Sequence, residues 1–179
     1  CGYRFLYVYV NSDFFQFNIL RTFLNKPKLN FNLDWELDIR YKIKCDNNFF
    51  EGIFLEHVIE HLKINDAIFL LKELFRILKP GGILRISVPD LEKYIRFYNK
   101  KKVHKKFLNW KNIPSEALWS LNHNFGHQSA YDFQLLSDLL LRSGFKDFRK
   151  CSFNMSKDPK LRVDDIGRSW ESLYIDASK

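Results

Sequence analysis

From Phe50 to Asp90 the chain reads FEGIFLEHVIEHLKINDAIFLLKELFRILKPGGILRISVPD, and the spacing of its apolar residues changes period twice. Phe50, Ile53, Phe54 and Leu55 form a short dense apolar run, which predicts a strand buried on both faces of a parallel sheet. Ala67, Ile68, Leu71, Leu74, Phe75 and Leu78 then recur at helical spacing, so a helix with one apolar face follows, with Asn65 as its expected N-cap. Lys79-Pro80-Gly81-Gly82 stops that helix. A lysine suits the negative end of the helix dipole, proline cannot continue the ladder, and glycine takes backbone angles that other residues disfavour. Ile83, Leu84, Ile86 and Val88 make the next strand, and this strand, helix, strand order predicts a parallel pair with a right-handed crossover. Ligands in such sheets sit at the carboxyl ends of the strands, here Glu56-His57 and Pro89-Asp90.

Composition fits one domain over residues 1–179. The chain is long enough for a sizeable core, and 46% apolar residues can fill it. No apolar run approaches the roughly 20 residues that span a bilayer, so a soluble protein without a membrane span is expected. Cys1, Cys45 and Cys151 are odd in number and lack metal-type spacing, which favours a reducing, cytoplasmic setting over a disulfide scaffold. Much of the formal charge of +8 lies in residues 93–111, where Lys93, Arg96, Lys100, Lys101, Lys102, Lys105, Lys106 and Lys111 crowd together. Such a run reads first as a solvated face and second as a site for nucleic acid or an acidic glycan. The chain opens at Cys1 and its one methionine is Met155, so a fragment of something longer is expected.

At this point the residues carry a resemblance. Glu56-His57-Val58-Ile59-Glu60-His61-Leu62, the Leu-Lys-Pro-Gly-Gly at 78–82 and Ile86-Ser87-Val88-Pro89-Asp90 resemble class I S-adenosylmethionine-dependent methyltransferases, in particular a small bacterial branch found beside sugar and cell-surface biosynthesis functions. Upstream, Cys1-Gly2 resembles the tail of the glycine-rich first motif, and Tyr9 to Asp13 the second strand with its terminal acid. Asp38-Ile39-Arg40 resembles the acidic position after the third strand. The resemblance implies a Rossmann-like α/β sheet, mostly parallel with an antiparallel C-terminal hairpin, and a first central strand missing from this chain. From Gly2 to Asp13 there are only 13 − 2 = 11 positions, against about 20 in a full unit with its helix.

The resemblance also implies a chemistry. Cys1 and Gly2 match positions that approach the methionine part of S-adenosyl-L-methionine, Asp13 the ribose acid, Asp38 and Ile39 the adenine edge, and Glu56 the cofactor side of a strand end. Methyl transfer from a sulfonium needs the two reactants positioned and, for an oxygen or nitrogen nucleophile, a proton removed. His57, His61 and Asp90 are the candidate bases, each with a structural alternative in packing or strand-end hydrogen bonding. His123, His127 and Tyr131 resemble the branch's pattern at a small-molecule, glycan-like substrate, after a cover segment spanning residues 91–129 with Trp110 and Trp119. A non-catalytic methyltransferase-like binding domain and a nucleic-acid methyltransferase are the alternatives.

A rival motif uses the same letters. His57-Val58-Ile59-Glu60-His61 matches H-x-x-E-H, in which two histidines on one helix hold zinc and the glutamate activates water. The apolar run through Leu55 puts His57 at a strand end rather than in a helix, so no metal is assigned to that pair. His123 and His127 form a second half-site, read mainly as loop structure or substrate contact. Ser129 or Asp132 caps a further helix with an apolar face of Phe133, Leu135, Leu136, Leu139 and Leu140, ending at Gly144. Residues 145–153 and 172–177 read as two closing antiparallel strands.

Overall fold

A computed structural model of the chain describes residues 5–9, 39–110 and 113–179. Five strands form one sheet: β1 (Phe5–Tyr9), β2 (Phe50–Glu56), β3 (Leu78–Pro89), β4 (Asp147–Cys151) and β5 (Ser172–Ser178), in the order β1-β2-β3-β5-β4. The pairs β1–β2 and β2–β3 are parallel, and β5 runs antiparallel to both β3 and β4. The mixed sheet and its antiparallel closing strands match the expectation. The missing central strand does not follow from this sheet, because Phe5–Tyr9 lies in register beside Phe50–Glu56, in the slot such a strand would fill. Of the expected strand from Tyr9 to Asp13, only Tyr9 is among the described residues. Cys1, Gly2, Asp13 and Asp38 lie outside the described residues.

Side chains alternate across the sheet, as a two-residue period requires. Ile53, Leu55, Leu84, Ile86, Val88, Leu173, Ile175 and Ala177 face one way and pack with helices α1 (Ile64–Ile77) and α4 (Phe133–Arg142) into the main core. On the other face Phe54 and Ile83 meet Leu161 beneath the loop between β4 and β5. β2 is therefore covered on both sides, as its unbroken apolar run implied.

Helix boundaries follow local chemistry, with one correction. Asn65 does not cap α1: Lys63 is the N-cap and makes no side-chain capping bond, while Asp132 does cap α4 by accepting from Leu135 N–H at 2.8 Å. α1 ends at Ile77 with Leu78 already pairing to Phe50, and the pairing then jumps to Gly52 opposite Ile83. Lys79 to Gly82 is thus looped out of the β3 edge. Gly81 has φ of 76°, and a Cβ on Gly82 would stand 2.8 Å from the Glu51 carbonyl oxygen, so neither position accepts a larger residue without strain.

The C-terminal half of α1 clamps the segment entering β2. Glu73 accepts from Ile43 N–H at 3.0 Å and from Arg76, while Arg76 donates to the carbonyls of Ile43 and Cys45 at 2.8 and 2.7 Å. The Arg76 hydrogen bonds hold the Glu73 carboxyl below its ordinary value of 4.5, against the opposing effect of burial. A carboxylate whose pKa is depressed on folding stabilises the fold above its unfolded pKa and loses that contribution as pH falls through the folded value. Glu73→Gln is accordingly expected to cost about 1–2 kcal/mol at pH 7, with the gap to the parent chain narrowing below about pH 4.5. Urea melts at pH 7 and pH 3.5 would check this, and a gap unchanged between them would refute it.

Between β3 and α4 lies a second layer. α2 (Leu91–Tyr98), a 3-10 turn at Lys105–Trp110 and α3 (Pro114–His123) enclose an aromatic cluster of Tyr94, Phe97 and Phe107, with Trp110 and Trp170 packed against it. Among the described residues no helix is long and apolar enough to cross a membrane.

Candidate active site at the carboxyl ends of the parallel strands

β1 and β2 end side by side, with Tyr9 paired to Glu56. Glu56 is 8% exposed, and its Oε1 accepts from Asp165 N–H at 2.9 Å and from the Ser87 hydroxyl at 3.4 Å. Burial raises its pKa, with the Asp165 hydrogen bond opposing. This tie fastens the loop before β5 onto the end of β2. Among the described residues Oε2 has no hydrogen-bond partner. Ile39, the other described residue expected at the cofactor, is half-buried against the main core.

His57 follows the strand with φ of 48°, a left-handed turn that swings its ring back over the sheet end. Its backbone N–H donates to the Ser87 carbonyl at 2.9 Å. Nε2 lies 2.8 Å from Ser172 Oγ, and because that hydroxyl donates its proton to the Arg168 carbonyl at 2.8 Å, the histidine is the donor. Nδ1 lies 3.1 Å from Glu60 Oε1. Nε2 is thereby hydrogen-bonded inside the protein, and Nδ1 stands beside the Glu60 carboxylate without a hydrogen bond to it.

Val58 leads into a single 3-10 turn, Ile59–His61, so H-x-x-E-H does not occupy one helix. Glu60 is 1% exposed. His61 instead meets His127, ring centroid to ring centroid 4.9 Å and edge-on at 80°. Burial holds the His61 pKa below 6.5, with Glu60 pulling it up and His127 and His57 pushing it further down. A neutral imidazole keeps one nitrogen lone pair, and this ring is half-buried rather than sealed.

The remaining expected residues separate. Asp90 is 2% exposed and caps α2, accepting from Glu92 N–H at 3.1 Å while its own N–H donates to the Glu171 carbonyl. Burial raises its pKa against the pull of Lys150 and Lys93. Tyr131, expected at the substrate, is fully buried in the main core, and burial pushes its hydroxyl up to about 12. His123 is exposed and stacks on Trp119 at 5.6 Å, away from His127, so the suggested His123 and His127 half-site is not formed. The lysine-rich stretch also divides. Lys100, Lys101 and Lys102 are exposed, whereas Lys93 is half-buried, donates to the Ser172 carbonyl at 2.8 Å and is held below its ordinary value by burial.

Sequence reasoning missed two features of this edge. In the sequence Glu60 belongs to the resemblance motif and to the zinc motif but to no set of site residues, although its place between two histidines is the signal for a buried polar site. The second is a cavity of about 300 Å³ beside Asp90, with Lys93, Arg96 and Lys150 along its wall. A larger hollow of about 380 Å³ lies at the opposite end of β2 and β3, around Glu51 and Lys79 to Gly82, and is remote from the strand ends where ligands bind.

Comparison with known proteins gives the lineage of this arrangement. Residues 4–149 match the family model described as a methyltransferase domain. A SAM-dependent methyltransferase from Thermotoga maritima superposes with a TM-score of 0.50 at 18% identity, covering 79% of this chain and 61% of that one. A SAM-dependent methyltransferase from Archaeoglobus fulgidus gives 0.51 at 17% identity, covering 83% of this chain and 68% of that one. At such identities the likeness is one of fold. None of the curated proteins matches the sequence.

Proposed function

The chain belongs to the methyltransferase-domain family, and from that premise we propose that it moves a methyl group from S-adenosyl-L-methionine to a small acceptor of the sugar or cell-surface-precursor kind. The observation that carries the reading is the shared carboxyl edge of β1 and β2, with Glu56 and the His57 turn at its rim. That edge fits the cofactor: parallel strands ending together open the crevice in which such sheets hold nucleotide-like ligands, and Glu56 is the last residue of β2 at that edge. By the sequence resemblance, Asp38 and Ile39 lie toward the adenine. When bound, the cofactor supplies a methyl group already activated on a sulfonium.

This chain's own residues then hold the acceptor and accept its proton. His57 and Asp90 are committed to internal hydrogen bonds, so the proton is assigned to the His61 and His127 end of the site. The cavity beside Asp90 carries three cations, Lys93, Arg96 and Lys150, against two acids, Asp90 and Glu92, and that excess favours an acceptor that carries a phosphate or carboxylate. Residues 91–129 form its cover. The odd cysteine count and the absence of metal-type spacing suit a reducing, cytoplasmic setting.

Calorimetric titration with S-adenosyl-L-methionine and its demethylated product tests the reading. Saturable binding of both is expected, and no heat at millimolar cofactor would sink it. Binding without turnover of any phosphorylated or carboxylated sugar would favour a non-catalytic domain.

A further inference from the structure

We propose that Glu60, His61 and His127 form a site for one divalent transition-metal cation. One ligand atom from each lies within 4.8 Å of the others, two imidazoles and a carboxylate gathered from positions 60, 61 and 127. The set differs from the sequence motif, because His57 has turned away to Ser172 and His127 has taken its place. Two histidines and one carboxylate leave coordination positions open, as in metal sites that bind water or substrate.

Glu60 gives the independent sign of a ligand. It is 1% exposed, and neither carboxylate oxygen has a hydrogen-bond partner. The nearest group, His57 Nδ1 at 3.1 Å from Oε1, is close enough for an ion pair but is not aligned as a hydrogen bond. A buried carboxylate left in that condition costs several kcal/mol, and a cation removes the cost.

The histidines are prepared in the way metal ligands are. His127 Nδ1–H donates to the Leu121 carbonyl at 2.7 Å, which places the lone pair on Nε2. The chain reaches this geometry through an unusual turn, with φ of 60° at Phe125 and 76° at Gly126. His61 packs against Gly126 on one side and His127 on the other. A zinc ion at about 2.1 Å from each ligand needs ligand atoms roughly 3.4 Å apart, so side-chain rotation must draw the trio inward. Both histidines are half-buried, which leaves a path from solvent.

The cation site stands on this geometry alone and does not depend on the methyl-transfer reading. If both hold, Glu60, His61 and His127 would hold the cation, which would lower the pKa of the acceptor's hydroxyl so that its proton could pass to water, and His61 would then serve as ligand rather than as proton acceptor.

The test is zinc binding to the full chain with any affinity tag removed, by calorimetry and by metal content after gel filtration. One zinc per chain is expected. His127→Ala should weaken binding at least about 100-fold, since even outer-shell changes cost 10–100-fold, while His123→Ala, at the end of α3 and outside the trio, should leave it unchanged. Glu60→Gln should behave like His127→Ala. Should the buried Glu60 variant fail to fold, circular dichroism would show it and His127→Ala would decide. Cobalt(II) should give the visible bands of a low-coordinate nitrogen and oxygen site, abolished in the same variant. No stoichiometric zinc, or zinc that survives His127→Ala, overturns the proposal.

Discussion

Replacing Asp164 with alanine is expected to destabilise the fold by about 3–5 kcal/mol, the cost of breaking a buried ion pair from one side. Arg85 lies on the second face of β3 with no solvent exposure. Its guanidinium donates to Asp164 at 3.1 and 2.6 Å, to Asp176 at 3.1 Å and to the Ser152 carbonyl at 3.1 Å, and it stacks over the Tyr174 ring at 4.9 Å. Asp164 also accepts from Asn154 N–H at 2.6 Å, so the substitution strands a buried cation and a backbone donor together. Asp176 remains as a partner, which keeps the loss within the stated range. For a chain of this size the melting temperature should fall by roughly 6–20 °C. Urea unfolding read by midpoint and slope would check it, and a loss below about 1 kcal/mol would show that water enters and solvates Arg85.

The same cluster reaches the functional edge. Asp164 anchors the loop whose next residue, Asp165, caps Glu56 at the end of β2. Loosening Arg85 therefore loosens the rim of the proposed cofactor crevice as well as the sheet. Partial denaturation and weakened cofactor binding are expected to appear together in Asp164→Ala, rather than one without the other.

What could be read in advance followed the range of the interactions. The unit from Phe50 to Pro89 was legible because strand, helix and strand each declare themselves by local period, and the Asp132 cap sits next to the helix it starts. Asn65 misled because propensity favours it, while the N-cap lies two residues earlier, at Lys63, and makes no side-chain capping bond. Arg85 was illegible. A lone arginine in an apolar strand shows nothing of carboxylates 79 and 91 residues away. His57 and His61 look equivalent in the sequence and differ only because a positive φ at His57 aims its ring at Ser172, 115 residues on. His127 was seen, but its approach to His61 depends on the turn at Phe125 and Gly126, for which the letters Asn-Phe-Gly-His give only a weak signal.

The two histidines should therefore separate in kinetics. In protein freed of metal by chelation, His61→Ala is expected to lower turnover by about 10²–10⁴-fold, the usual contribution of a positioned proton acceptor, with cofactor affinity unchanged because the ring lies on the His127 side of the edge. His57→Asn should cost no more than about tenfold, since His57 presents no nitrogen to an acceptor and acts only by orienting Glu60. Asparagine is chosen because it tolerates the left-handed backbone at this position. Single-turnover rates at saturating cofactor would isolate the chemical step. Equal losses in the two variants would mean that the strand-end turn, rather than the His61 ring, governs the reaction, and a larger loss in His57→Asn would return the proton to the strand end.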